Sequence, residues 1–338
     1  MADTGTIELG KFERYLVEEF YDDYRAGEIS RRTFIRRVAY VTGGMGAAAL
    51  AMAAVGCSSS ELPAAGTPIP PAEPTSEASP ASTPASTPTA AAALVPVAGA
   101  KSPLSVAEND PAIVGKDVMF EQAGGYLALP AAPAAGGAKR AAILVCHENA
   151  GLTPHIRDVA RRFAKEGYAA LAVDLLAREG GTAGKERDQV PGMLTSAGIP
   201  RHVSDFVAAQ KYVATLDGVD GTRVGMTGYC FGGGVTWAAA TAIPELKAVA
   251  PFYGPAPDLA EVPKIKAACL GVYAANDARI NAGKDALAAA LTAAGVTHEM
   301  KLYPGVGHAF HNDTGNNWNE EQGLQAWKDT LAWFAKYV

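Results

Sequence analysis

Gly228-Tyr229-Cys230-Phe231-Gly232, with Gly233 and Gly234 behind it, is the stretch on which the reading of this 338-residue chain turns. Residues 222–227 (TRVGMT) lead in with strand character, and residues 235–242 (VTWAAATA) lead out with helical character. A glycine-flanked residue between a strand and a helix is the pattern of a nucleophile elbow, a sharp turn that lifts one side chain into a cleft. Gly228 and Gly232 lack the Cβ atoms that would clash there. A helix starting after Cys230 aims free N–H groups and its positive dipole end at the sulfur, which favours thiolate. Serine is the usual residue at such a tip; cysteine here points to a cysteine-dependent hydrolase. Taken alone, G-x-C-x-G equally describes a small buried cysteine in a glycine-rich turn.

The order of later residues argues for chemistry. An elbow nucleophile works with an acid and then a histidine further along the chain. Asp277 follows a strand-like run at 269–273, and His308 follows another at 299–303. His308 is expected to take the thiol proton and return one to the leaving group. Asp277 is expected to fix its tautomer. His311 is the competing imidazole. For the oxyanion, the backbone N–H groups of Phe231 and Asn149 are the candidate donors. Asn149 lies in the loop His147-Glu148-Asn149-Ala150-Gly151-Leu152, which also brings Glu148 beside the elbow.

The surrounding pattern is α/β. Paired strands are expected at 117–122 and 125–129 around Ala123-Gly124. Continuous apolar runs at 141–147 and 168–173 read as buried parallel strands. Ile156, Val159, Ala160, Phe163 and Ala164 keep helical spacing, with Thr153 as N-cap and Pro154 in the first turn. Val203, Phe206, Val207 and Val213 mark a second helix, and Leu324, Trp327, Leu331 and Phe334 a closing one. Strands alternating with helices predict a mainly parallel sheet covered on both faces. Its ligand site should lie beyond the carboxyl ends of the strands.

Composition bounds the rest. A net charge of −6 shows no basic stripe for nucleic acid. Of four cysteines, Cys146 and Cys269 sit in apolar strand-like runs as buried thiols, and no spacing matches a metal motif, so neither metal nor cofactor is expected. Residues 1–29 carry acids and aromatics; Phe12, Tyr15, Leu16 and Phe20 recur at helical spacing, and a solvated helical extension is expected. Ser30-Arg31-Arg32-Thr33-Phe34 precedes an uncharged stretch at 38–55, the look of a twin-arginine export signal. Ala54-Val55-Gly56-Cys57 is similar to a lipoprotein box, with Cys57 as the lipidated residue; an uncleaved membrane anchor is the alternative. Residues 1–57 therefore read as a leader. Residues 58–100, rich in Pro, Ala, Ser and Thr, read as a disordered tether, and 101–338 as the folded domain. The expected product is an exported monomer whose only membrane contact is its N-terminal anchor.

Cys146-His147-Glu148-Asn149-Ala150-Gly151-Leu152, Val173-Asp174-Leu175, Gly228-Tyr229-Cys230-Phe231-Gly232-Gly233, Ala275-Asn276-Asp277 and Gly307-His308-Ala309-Phe310 together resemble the dienelactone hydrolase (carboxymethylenebutenolidase) family of the α/β-hydrolase superfamily. The resemblance spans roughly residues 101–338 and implies an α/β-hydrolase fold acting on small esters or lactones. It also implies that Glu148 contacts the thiol and helps thiolate form when substrate binds. The family's carboxylate clamp is not kept: the arginine expected four residues after the histidine is Asn312, and Arg178 and Arg187 are loose candidates for the other. Leu176 replaces an expected tyrosine. The nucleophilic machinery thus carries over better than the substrate. A hydrolase of another acyl ester or thioester, a non-catalytic binding lipoprotein and a thiol redox role are the competing readings.

Overall fold

Eight strands form one sheet in the order β1-β2-β4-β3-β5-β6-β7-β8, in a computed structural model that describes residues 9–54 and 93–338. In chain order they are β1 (Ile113–Phe120), β2 (Ala123–Pro130), β3 (Arg140–Cys146), β4 (Ala169–Val173), β5 (Val219–Tyr229), β6 (Ala248–Phe252), β7 (Ala268–Ala274) and β8 (His298–Tyr303). β1 and β2 pair antiparallel, as do β2 and β4; every later pairing is parallel. β3 and β4 bury nearly every residue, as continuous apolar runs in a parallel sheet should. β1, at the edge, leaves Met119 and Val114 exposed. The hairpin turn falls at Glu121-Gln122, with Glu121 at φ 50° and Phe120 opposite Ala123. It does not fall at Ala123-Gly124 as expected, because both residues belong to β2: they pair with Phe120 and Met119, and the Gly124 carbonyl accepts the Asp174 amide at 2.9 Å.

Helices cover the sheet. α4 (Pro154–Lys165) and α10 (Glu320–Tyr337) meet through Phe163, whose ring packs on Trp327 and Phe334. α6 (Ile199–Ala214) and α7 (Phe231–Ala242) meet through His202 and Phe231. Thr153 is the N-cap of α4 by position, but its hydroxyl makes no capping bond. α5 (Val190–Ala197), unforeseen in the sequence, precedes α6 directly. α8 (Ala278–Asn281) and α9 (Lys284–Ala293) follow β7. A buried ionic cluster ties α4 to the loop after β8: Arg162 donates to Asp158 and Asp313, and His155 Nδ1 lies 3.0 Å from Asp313. Asp313 and Asp158 also accept from the Ser102 and Val106 amides. Val97 is buried, so ordered packing begins before residue 101.

Ahead of the sheet domain come α1 (Lys11–Arg25), α2 (Arg31–Thr42) and α3 (Met45–Ala54). The Ser30 side chain caps α2, and Gly43 closes it at φ 81°. The helical reading of the N-terminal aromatics holds, but α1 is not a solvated extension: Tyr15, Leu16, Val17, Glu19 and Phe20 are all buried. α2 is fastened by Arg37 Nε, 2.9 Å from Asp188, and by Arg36 on the same carboxylate. Among the described residues no helix is long and apolar enough to cross a membrane. Cys57 and residues 58–92 of the expected tether lie outside the described residues.

Candidate active site

The elbow forms as the glycines dictate. Cys230 sits at φ 58°, ψ −120° between β5 and α7, a region that costs a non-glycine residue roughly 1–3 kcal/mol unless its surroundings enforce it. They do: Cys230 N–H donates to the Phe252 carbonyl at 3.0 Å, and its own carbonyl accepts from Gly233 at 2.9 Å. A Cβ on Gly228 would lie 2.3 Å from the Gly232 carbonyl oxygen, and one on Gly232 would lie 2.3 Å from that of His147. Strand, helix and the loop after β3 therefore meet backbone to backbone. His147 pins that loop, donating from Nδ1 to the Glu148 carbonyl at 2.7 Å and accepting the Leu175 amide at Nε2. Burial holds its pKa below the ordinary histidine value, in keeping with a neutral ring.

β7 and β8 deliver the other two groups. His308 Nδ1 lies 2.6 Å from Asp277 Oδ2. A ring nitrogen of His308, the Cys230 sulfur and a Glu19 carboxylate oxygen lie within 4.8 Å of one another. Nδ1 is committed to Asp277, so Nε2 is the nitrogen free to face the sulfur. Burial works against the imidazolium, yet Asp277, with Glu19 behind it, raises the His308 pKa above the ordinary value. Burial likewise opposes the Asp277 carboxylate, and its bond to His308 brings its pKa below the usual carboxylate range. His311 does not compete. It is fully buried, stacked 5.0 Å from Tyr229, and desolvation pushes its pKa far down.

The thiol departs from expectation. Burial first, then the charges of Glu19 and Glu148, push the Cys230 pKa well above the ordinary thiol value. Hydrogen bonds from the Tyr15 hydroxyl and the Phe231 amide only partly offset them. The helix dipole loses to desolvation and two carboxylates. The carboxylate touching sulfur belongs to Glu19, at 3.2 Å, not to Glu148. Glu148 instead accepts from Asn312 Nδ2 at 2.7 Å, and its buried Oε1 has no bonded partner in the structure. Burial raises its pKa. Glu19 and Tyr15 were not among the candidates, because nothing local in an N-terminal amphipathic helix shows which surface it will meet.

Of the remaining candidates, the Asn149 side chain donates to Glu19, and the Phe231 amide acts on the thiol to lower its pKa. Arg178 is a correction: it is spent on Asp205, Gln122 and Ser204, and binds no group of the site. Arg187 lines a cavity of about 970 Å3 that also reaches Glu148, Asn312, His155 and Thr182. Leu176 is fully buried. Glu19, Cys230 and His308 are also the one group of donors, among the described residues, spaced to share a metal ion. Cys146 and Cys269 are buried free thiols, as expected.

A sulfur on a strained turn, an imidazole within reach and a carboxylate behind it can perform acyl transfer through a thioester. The family model described as the dienelactone hydrolase family matches residues 123–338. A protein of Methylorubrum extorquens named "Putative carboxymethylenebutenolidase" is 35% identical over 238 residues, covering 67% of this chain and 81% of that one. A protein of the same name from Saccharolobus solfataricus is 32% identical over 254 residues, covering 63% and 95%. The crystal structure titled "Putative Dienelactone Hydrolase" from Klebsiella pneumoniae superposes with a TM-score of 0.61 at 30% identity, over 67% of this chain and all of that one. A dienelactone hydrolase-like promiscuous phosphotriesterase from metagenomic libraries gives 0.60 at 19% identity, covering 67% and 99%, a likeness of fold alone. The family match begins at residue 123, so α1 lies outside it.

Proposed function

Because the chain belongs to the dienelactone hydrolase family and is a carboxylic ester hydrolase, we propose that it cleaves small esters or lactones by cysteine nucleophilic catalysis. Cys230 is the nucleophile, His308 the acid–base and Asp277 its orienting partner. The observation that carries the reading is the His308–Asp277 bond of 2.6 Å beside the sulfur of a strained elbow. Nε2 of His308 takes the thiol proton as sulfur attacks the carbonyl carbon. The C–S bond forms, and the oxyanion is met by the Phe231 amide, with the Asn149 amide as second donor. The C–O bond then breaks, and His308 returns the proton to the leaving oxygen, which in a lactone stays tethered to the acyl chain. Water, deprotonated by His308, hydrolyses the thioester and restores the thiol.

Glu148 stands beside this path with one oxygen unbonded, close enough to raise the thiol pKa. In this proposal it repels thiolate until substrate or α1 movement redirects it, and Asn312 holds it in place. The assignment of export is part of the same proposal. Arg31-Arg32, the uncharged stretch behind them and the sequence around Cys57 support a route through the twin-arginine machinery to a periplasmic or surface anchor. Globomycin treatment of expressing cells should then leave an uncut precursor; unaffected processing would remove lipidation from the reading.

The enzymatic test is turnover of p-nitrophenyl acetate by the full chain and by variants at Tyr15 and Glu19 that uncover the thiol. Cys230→Ala in either background should abolish turnover, and mass spectrometry of the quenched enzyme should find the acyl group on Cys230. Turnover that survives Cys230→Ala would overturn the assignment.

A further inference from the structure

Cys230 is 4% exposed, and the side chains that touch its sulfur come from α1. The Tyr15 hydroxyl donates to Sγ at 3.4 Å, and both Glu19 oxygens lie within 3.5 Å of it. Glu19 also lies 3.9 Å from His308 Nε2 and accepts from Asn149. One acidic side chain thus faces the nucleophile, the imidazole and the loop of the second oxyanion donor, the three features a bound acyl group must face. Phe12 packs edge-on against Phe231 at 5.6 Å, and Lys11 Nζ reaches the Pro257 carbonyl at 3.1 Å. α1 lies along the cleft rather than touching it at one point.

The anchor for its acids is Arg279, two residues past Asp277. The Arg279 guanidinium lies 3.7 Å from Glu19 and 3.2 Å from Asp22, and stacks 4.6 Å over the Tyr15 ring. Among the described residues, every ion-pair partner of Arg279 comes from α1. Its side chain is only 15% exposed with α1 in place. Remove the helix and the cation at the edge of the site loses both ion pairs and keeps only the nearby charge of Asp277, which is bonded to His308, a state that an anion relieves.

We infer that α1 is an intramolecular pseudosubstrate, and that the grip of Arg279 on its carboxylates marks an anion subsite beside the thiol. The helix holds the thiol protonated and covered; its departure uncovers Cys230 and vacates Arg279 together. Occlusion and anion binding do not depend on the hydrolase reading above, and both are read without turnover.

The test compares alkylation of Cys230 by neutral iodoacetamide and anionic iodoacetate, quantified by peptide mass spectrometry at fixed pH. Full-length native chain, Glu19→Gln, Tyr15→Ala/Glu19→Ala and Phe12→Glu are used, with thermal melting to show that each is folded. The opened variants should react at least tenfold faster with iodoacetamide than the native chain, and their gain should be larger still with iodoacetate. Adding Arg279→Gln to an opened variant should erase the extra gain, read as the ratio of the iodoacetate rate to the iodoacetamide rate in the same variant. Equal iodoacetamide rates in native and folded α1 variants would overturn the pseudosubstrate. Opening without an Arg279-dependent preference for iodoacetate would overturn the subsite. Fast, Arg279-dependent alkylation without p-nitrophenyl ester turnover would leave both standing and refute the hydrolase assignment instead.

Discussion

At the scale of single residues, the pairing of His308 with Asp277 makes a signed prediction. The raised His308 pKa contributes stability that is present below the ordinary histidine value and is lost as pH rises through the raised one. The lowered Asp277 pKa contributes stability that is present above the ordinary carboxylate value and is lost as pH falls through the lowered one. The two overlap between roughly pH 4 and pH 6.5. The difference in melting temperature between the native chain and Asp277→Asn should be largest in that window and shrink on both sides. In an uncovered background the same substitution should cut turnover roughly 10³- to 10⁴-fold, through the wrong tautomer. Gly228→Ala addresses the elbow: its Cβ would lie 2.3 Å from the Gly232 oxygen and 2.4 Å from Thr236 Oγ1. Denaturant titration should show a loss of at least about 2 kcal/mol, and a smaller loss would mean the turn yields easily.

At the scale of elements, α1 carries its own titratable brake. Burial, with Glu19 and Glu28 beside it, pushes Asp23 up to about 7, against the opposing charges of His308 and Arg37. The docked helix therefore favours protonated Asp23. Docking is strongest below the ordinary carboxylate range and weakens as pH rises through about 7. Hydrogen-exchange protection of α1, corrected for the intrinsic rate, should fall over that interval more steeply in the native chain than in Asp23→Asn, which keeps only the part linked to His308 and Glu19. An identical slope in both would exclude Asp23. The sheet elements were far easier to foresee than this helix's destination. Runs such as Ala142–Cys146 can only be buried centrally, and the order Cys230, Asp277, His308 follows from strand ends meeting on one side. The hairpin turn depended instead on Ala123 and Gly124 joining the strand, where the Gly124 carbonyl meets the distant Asp174 amide, a pairing that no local pattern encodes.

At the scale of the whole molecule, what sequence pattern could not convey is which surfaces distant segments choose. Arg178 reads as a free cation in the chain and is consumed by Asp205. Glu19 reads as a solvated acid and lies on a thiol 211 positions away. Long-range charge placement decides the state of the site, and it is written in no single stretch. A further prediction belongs here. A protease recognition sequence placed within residues 55–92 and then cut should leave Cys230 slow to alkylate at high protein concentration and fast after dilution. The uncut chain should show no such dependence. Continued protection at every concentration after cutting would mean that the helix does not rely on its covalent attachment.

Those intervening residues give the Glu19–Cys230 contact one more property. While the peptide bonds persist, the blocker is delivered at a local concentration fixed by the chain and rebinds each time it leaves. Severing them makes its return a matter of chance encounter, which in a large volume amounts to never. Hydrolysis of a single bond in that segment would then act as an irreversible starting signal, so that the catalyst's working life begins where and when the backbone is cut.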